Sequence, residues 1–162
     1  MNTEITPEFI MLIGLPASGK STYIKSKTGY VIISTDDIIQ SEADKIGKTY
    51  SEVFKDMIGL ATTIANAQFR DAIRDKKNII WDQTNVSAKK RINVLRQVPK
   101  YYHKTANVFT APLDVLKERL IKRGQETGKH IPFGIVVDMQ NRFEMPTEAE
   151  GFDEIKIIGE LC

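Results

Sequence analysis

The run Phe9-Ile10-Met11-Leu12-Ile13 leads straight into Gly14-Leu15-Pro16-Ala17-Ser18-Gly19-Lys20-Ser21, and that junction constrains the fold more than any other feature. The apolar run, opened by Glu8, reads as a short strand buried on both faces. Residues from Gly19 to about Lys27 read as a helix. Between them the chain fits G-x-x-x-x-G-K-[ST], and a strand before with a helix after is the context that gives this motif meaning. Gly14 and Gly19 permit backbone angles that other residues resist, so successive N–H groups can turn inward. Those donors and the helix N-terminus face an anion. Pro16, Ala17, Ser18 and Thr22 complete the cradle. Lys20 adds a full charge against terminal phosphates, and the Ser21 hydroxyl is placed for a bridging magnesium ion.

The rest of the chain alternates. Tyr30-Val31-Ile32-Ile33-Ser34 reads as a second strand, with Asp36-Asp37-Ile38-Ile39 opening a short helix behind it. Ser51 is the expected N-cap of a long amphipathic helix, along which Phe54, Met57, Ile58, Ala61, Ile64, Ala65, Phe69 and Ile73 recur at helical spacing. Asn78-Ile79-Ile80-Trp81 is a third strand ending at Asp82. Ser87 caps a helix bearing Ile92, Leu95 and Val98 that Pro99 stops. Thr105 to Thr110 is a fourth strand. Leu113, Leu116 and Leu120 mark a helix reaching Gly124. Gly124 to His130 reads as a mobile loop. Pro132 suits the first turn of a helix carrying Ile135, Val136, Met139 and Phe143. Glu154 to Ile158 is a last strand. The expected fold class is therefore α/β: a three-layer P-loop NTPase fold with a mainly parallel sheet of about five strands, helices on both faces and a mobile lid. Residues 1–162 read as one domain.

Composition narrows the setting. With 41% hydrophobic and 27% charged residues the sequence is ordinary for a soluble globular protein, and no apolar run approaches bilayer length. The start, Met1-Asn2-Thr3-Glu4-Ile5, lacks the basic and apolar stretches of a signal peptide. The single cysteine, Cys162, excludes an internal disulfide and a cysteine-based zinc cluster, and reads as a tail residue without a role. A cytoplasmic setting follows as the default (host cytoplasm if phage-encoded), with no membrane partner. The net charge of +2 permits nucleic acid without arguing for it. Lys89, Lys90, Arg91, Arg96, Lys100, Lys104, Lys117, Arg119, Lys122, Arg123 and Lys129 crowd one stretch, and most read as solvated helix faces.

Nucleotide binding alone does not establish transfer, because a kinase must also engage an acceptor. Asp36 and Asp37 lie just past the second strand, where ligands of open α/β sheets sit. A carboxylate there can accept an acceptor's proton, with Asp36 favoured; alone, the pair would read as helix caps. Asp82 ends the third strand, near the magnesium or its waters, or in position to hold the acceptor. Thr84 and Asn85 follow as hydrogen-bonding acceptor contacts, or as a turn. Arg119 and Arg123 share one helix face. They read equally as arginines closing over a triphosphate and as a basic helix end.

Taken together these segments resemble the kinase domain of 5′-hydroxyl polynucleotide kinases, both the phage type and the kinase half of the eukaryotic polynucleotide kinase/phosphatase. Residues 14 to 22 look like that family's phosphate loop. Ser34-Thr35-Asp36-Asp37 is similar to the phage type's acceptor-site pair, whose first member is the general base. Asp82-Gln83-Thr84-Asn85 resembles its Asp-x-Thr-Asn turn, and Arg119 to Gly124 its lid with two phosphate-contacting arginines. Residues 143 to 152 are similar to a stretch near the end of the eukaryotic domain. The resemblance implies ATP and Mg2+ as cofactors and the 5′ end of a nucleic acid as acceptor. Lys20, Asp36 and Arg123 would then be catalytic, and Ser21 and Asp82 would serve the metal. The phage type carries an arginine shortly after its Asp pair; here the position falls at Ile39, so one nucleic-acid contact is missing or supplied elsewhere. The aspartate-rich phosphatase motif is absent from the sequence. Two rival readings are a kinase for a small metabolite or nucleoside, and a nucleotide-dependent binding module that hydrolyses ATP slowly.

Overall fold

The computed structural model describes residues 5–159, so the readings placed on residues 1–4 and on Cys162 lie outside the described residues. The chain runs β1 (Glu8–Ile13), α1 (Lys20–Lys25), β2 (Val31–Ile33), α2 (Thr35–Lys45), α3 (Tyr50–Arg74), β3 (Ile79–Asp82), α4 (Ala88–Leu95), β4 (His103–Thr110), α5 (Leu113–Thr127), α6 (Phe133–Asn141), a 3₁₀ turn (Glu148–Glu150) and β5 (Glu154–Gly159). The five strands form one sheet in the order β2-β3-β1-β4-β5, and every pairing is parallel.

β1 lies at the centre and shows why its sequence is continuously apolar. Phe9, Met11 and Ile13 enter one core cluster, with Ala65 and Phe69 of α3 and Leu95 of α4. Ile10 and Leu12 point the other way, with Ile80, Phe109 and the α1 residues Tyr23 and Ile24. Successive side chains of a strand alternate faces, so a central strand between helical layers needs apolar residues at every position. A separate cluster joins Leu15 of the phosphate loop to Leu116 and Leu120 of α5 and Val136 of α6. These layers are the three of a P-loop α/β fold.

Several boundaries depart from the sequence reading, each for a local reason. Thr49, not Ser51, caps α3. Its side chain accepts from the Glu52 N–H while the Glu52 carboxylate accepts from the Thr49 N–H, a reciprocal capping box. Residues 124–127 are the last turn of α5, not loop; the helix continues until Gly128 adopts a left-handed conformation and closes onto the Gly124 carbonyl. Pro132 is the N-cap of α6 rather than its first turn. Arg91 is not on a solvated helix face. It is fully buried, with Nε donating to Glu150 Oε1 at 2.7 Å and Nη1 to the Asn85 carbonyl at 2.8 Å. Among the described residues no helix is long and apolar enough to cross a membrane.

Candidate active site

The sheet order sets the site. The chain leaves β1 for the far strand β2, returns through β3 beside β1, and only then crosses to β4 on the other side. A crevice opens at such a reversal, beyond the carboxyl ends of the strands. Here it is a cleft of about 1480 Å³ whose walls include residues 16–23, Asp36, Asp37, Asp82, Thr84, Arg119, Arg123 and Lys129. The structure thus brings most of the sequence-predicted site residues to one place.

The phosphate loop has the backbone its glycines implied. Gly19 (φ 110°) and Ala17 (φ 66°) both lie in the left-handed region, which turns the intervening amides to one side. A Cβ on Gly14 would sit 2.6 Å from Ser18 Oγ and 2.9 Å from the Phe109 carbonyl oxygen, so only glycine fits there. The Gly14 N–H donates to the Thr84 carbonyl at 3.0 Å, binding the loop to the end of β3. The N-terminal amides of α1 have no helical partners of their own. Lys20 Nζ donates to the Gly14 carbonyl at 2.6 Å. Burial pulls its pKa from 10.5 down to about 8; Asp82 and Asp36 resist that fall, while Lys129 and Arg123 add to it. Ser18 Oγ is buried without a protein partner. A cationic lysine short of counter-charge, a free hydroxyl and inward-turned amides fit a triphosphate. No cluster of three carboxylate, histidine or cysteine ligands exists among the described residues. Ser21 and Asp82 both line the cleft.

Asp36 and Asp37 occupy the first turn of α2, but neither caps it. Ser34 does, its hydroxyl accepting from the Asp37 N–H at 3.2 Å. Asp36 is therefore free for other work. Its Oδ1 accepts from the Tyr50 hydroxyl at 2.7 Å and its Oδ2 from Lys129 Nζ at 2.8 Å. Burial pushes the Asp36 carboxyl up, but the charge and hydrogen bond of Lys129, the Tyr50 bond and Lys20 hold it below the usual range. Asp37 moves the other way, raised by burial and by Asp36. Asp82 is also raised, chiefly by burial and then by Asp37 and Asp36, against Lys20 and the Ser34 hydroxyl.

The arginine pair and the turn after β3 sort themselves. Arg119 Nη1 donates to the Ala17 carbonyl at 3.1 Å, so α5 rests on the phosphate loop. Arg123 lines the cleft one turn further on. Thr84 faces the cleft, but Asn85 does not. Asn85 is buried, and its amide donates to the carbonyls of Leu12 (2.7 Å) and Gln83 (3.2 Å). It is a strut between β1 and β3 rather than an acceptor contact. Ile39 is fully buried between α2 and α3 beside Ala43, Tyr50 and Val53, so that position does not reach the cleft. Sequence reasoning missed Tyr50 and Lys129 as site residues. Lys129 stands 93 positions from Asp36, and no motif spacing links them.

Comparison with known proteins agrees with this geometry. The AAA domain model matches residues 9–146. The chain belongs to the AAA domain family. The relatives it matches carry the names of kinases with differing acceptors. The L-seryl-tRNA(Sec) kinase of Methanococcus maripaludis is 28% identical over 154 residues, 89% of this chain and 55% of that protein. The bifunctional polynucleotide phosphatase/kinase of Schizosaccharomyces pombe is 25% identical over 168 residues, 96% of this chain and 34% of that protein. The shikimate kinase of Clostridium botulinum is 31% identical over 131 residues, 74% of this chain and 69% of that protein. Among solved structures, the Pnkp1/Rnl/Hen1 RNA repair complex contains a chain similar at a TM-score of 0.67 and 26% identity, over 87% of this chain and 45% of that one. The chain thus spans about half the length of the first relative and about a third of the second. The matched family is a nucleotide-binding P-loop family, and the relatives of printed activity are kinases.

Proposed function

We propose that this chain transfers the γ-phosphate of ATP to the 5′-hydroxyl of a polynucleotide. The observation that carries the transfer is Asp36, a carboxylate kept ionised in the same cleft as Lys20 and the phosphate loop. The polynucleotide acceptor is supported by the ordered resemblance of five segments and by the phosphatase/kinase and RNA-repair relatives.

In this reading the loop amides and Lys20 hold the phosphates. Ser21 and Asp82 would hold magnesium, directly or through its waters, and the ion would supply positive charge against the terminal phosphates. Asp36 accepts the proton of the acceptor hydroxyl as its oxygen bonds to the γ-phosphorus and the bond to the β-phosphate oxygen breaks, releasing ADP. Lys20 and Arg123 face the charge that gathers on the transferring group, while Arg119 keeps α5 against the loop. Thr84 and Asp37 line the acceptor end.

A kinase for a small hydroxyl compound is the second reading, favoured by two observations. Asp37 and Asp44 outnumber Lys45 on the α2 rim beside Asp36, which leaves that face acidic on balance and disfavours a polyanion. The shikimate kinase relative is the other.

One experiment separates these readings. γ-Labelled ATP and magnesium are supplied with 5′-hydroxyl DNA, 5′-hydroxyl RNA and a panel of small alcohols, across a salt series. The proposal expects label on an oligonucleotide, with a steep loss of affinity as salt rises. Label confined to a small alcohol refutes it, as does phosphate released to water with no acceptor labelled. Asp36→Asn should lower kcat about 10²–10⁴-fold while leaving nucleotide affinity within about threefold.

A further inference from the structure

Lys129 sits just beyond the end of α5, yet its ammonium reaches the carboxylate of α2. Its side chain is only 14% exposed, its Nζ lies 2.8 Å from Asp36 Oδ2, and the same nitrogen stands 4.3 Å above the Tyr50 ring. The Tyr50 hydroxyl meets the other carboxylate oxygen at 2.7 Å. A carboxylate has about four acceptor directions. One donor on each oxygen fixes the plane of the group and leaves the remaining directions for an incoming hydroxyl.

The segment that carries Lys129 is itself pinned to the start of α3. The His130 N–H donates to Ser51 Oγ at 2.9 Å. Gly128 lies so close to Thr49 that a Cβ there would stand 2.6 Å from the Thr49 methyl carbon. About two turns before its C-terminal end, α5 places Arg119 on the Ala17 carbonyl of the phosphate loop. α5 thus touches the nucleotide side of the cleft through Arg119, and the segment just after it touches the acceptor side through Lys129.

We propose that Lys129 is a positioning residue through which docking of the segment after α5 aligns Asp36 for the acceptor. The inference rests on the reading of Asp36 as the group that meets the acceptor hydroxyl. Lys129 touches no reacting atom. It holds the carboxylate plane, and it does so only while residues 128–130 rest on the start of α3. Nucleotide-side and acceptor-side assembly then become one event, which limits transfer to a closed cleft.

The test is a double-mutant cycle on Lys129→Met and Ser51→Ala, with Lys129→Arg as the conservative rescue. Lys129→Met should lower kcat for transfer by about 10–100-fold, the scale on which a misplaced reacting group costs rate, with the KM for ATP within about threefold. Lys129→Arg should recover most of the loss. Ser51→Ala, which removes no contact to Asp36, should lower kcat in the same sense, and the double variant should be no worse than Lys129→Met alone. Amide hydrogen exchange at His130 should quicken in Lys129→Met, with or without an acceptor present. An unchanged kcat in Lys129→Met, strictly additive losses, or unaltered exchange at His130 each overturns the proposal. A wild-type protein that labels no oligonucleotide refutes the polynucleotide acceptor only. The cycle is then run on whichever acceptor takes label, and the His130 exchange still decides the coupling.

Discussion

Replacing Lys20 with methionine should make the protein more stable while removing its nucleotide binding. The reasoning is electrostatic. Burial holds the Lys20 pKa at about 8 against an ordinary 10.5. That difference corresponds to roughly 3 kcal/mol by which the charged form is disfavoured on folding, at about 1.36 kcal/mol per pKa unit. Lys20 is only partly buried as a residue, so cleft water screens part of this. Methionine also forfeits the 2.6 Å bond to the Gly14 carbonyl and leaves Asp82 without the cation that holds its carboxyl down. The working expectation is a gain of about 1–2 kcal/mol at pH 7, or roughly 2–8 °C in Tm for a chain of this size. The pH dependence gives the sign. Below about pH 8 both folded and unfolded chains carry the charge and the full penalty is present. As pH rises from there towards 10.5 the folded chain loses the proton first, so wild-type stability climbs relative to the variant and the gap closes. Urea denaturation of both proteins at pH 7 and at pH 10.5 measures this. Saturating magnesium-ATP should reverse the order at pH 7, adding about 2.7 kcal/mol to the wild type at a hundred times its Kd and little to the variant. A Lys20→Met protein that is less stable by about 1 kcal/mol or more at pH 7, or a gap that does not change with pH, refutes the reasoning.

Two further changes probe the scaffold behind the site. Arg91→Leu strands the Glu150 carboxylate, whose side chain is 6% exposed, and should cost about 3–5 kcal/mol in urea denaturation; adding Glu150→Gln should restore about half, because the unpaired charge is gone. Thr49→Ala removes one arm of the α3 capping box and should lower stability by about 1 kcal/mol, seen as a fall of roughly 2–4 °C in Tm, with a larger effect refuting a purely local role.

Much of the fold was legible because it is local. The alternation of buried strands and amphipathic helices, the nucleotide loop and the first turn of α2 each follow from residues adjacent in the chain. Boundaries failed where competing signals stood a residue or two apart. Thr49 and Ser51 are both good caps, and only Thr49 has Glu52 three residues on to close the reciprocal pair. Gly124 looked like a helix stop, yet inside α5 it packs against the His130 ring, while Gly128 takes the left-handed turn.

By itself, then, the sequence determined the phosphate loop, its place after a central buried strand, and the phosphate-binding character that follows. Those depend on backbone angles and on hydrogen-bond donors within one short segment, which residue types dictate directly. Only the tertiary structure decided what Asp36 touches, that Asn85 is a strut and that Arg91 is buried. Asp36 meets Tyr50 across 14 positions and Lys129 across 93. Arg91 meets Glu150 across 59. Contacts of that kind have no fixed spacing. They arise when the sheet order and the path of α5 bring distant side chains within a hydrogen bond of one another, and a linear pattern carries no record of that distance.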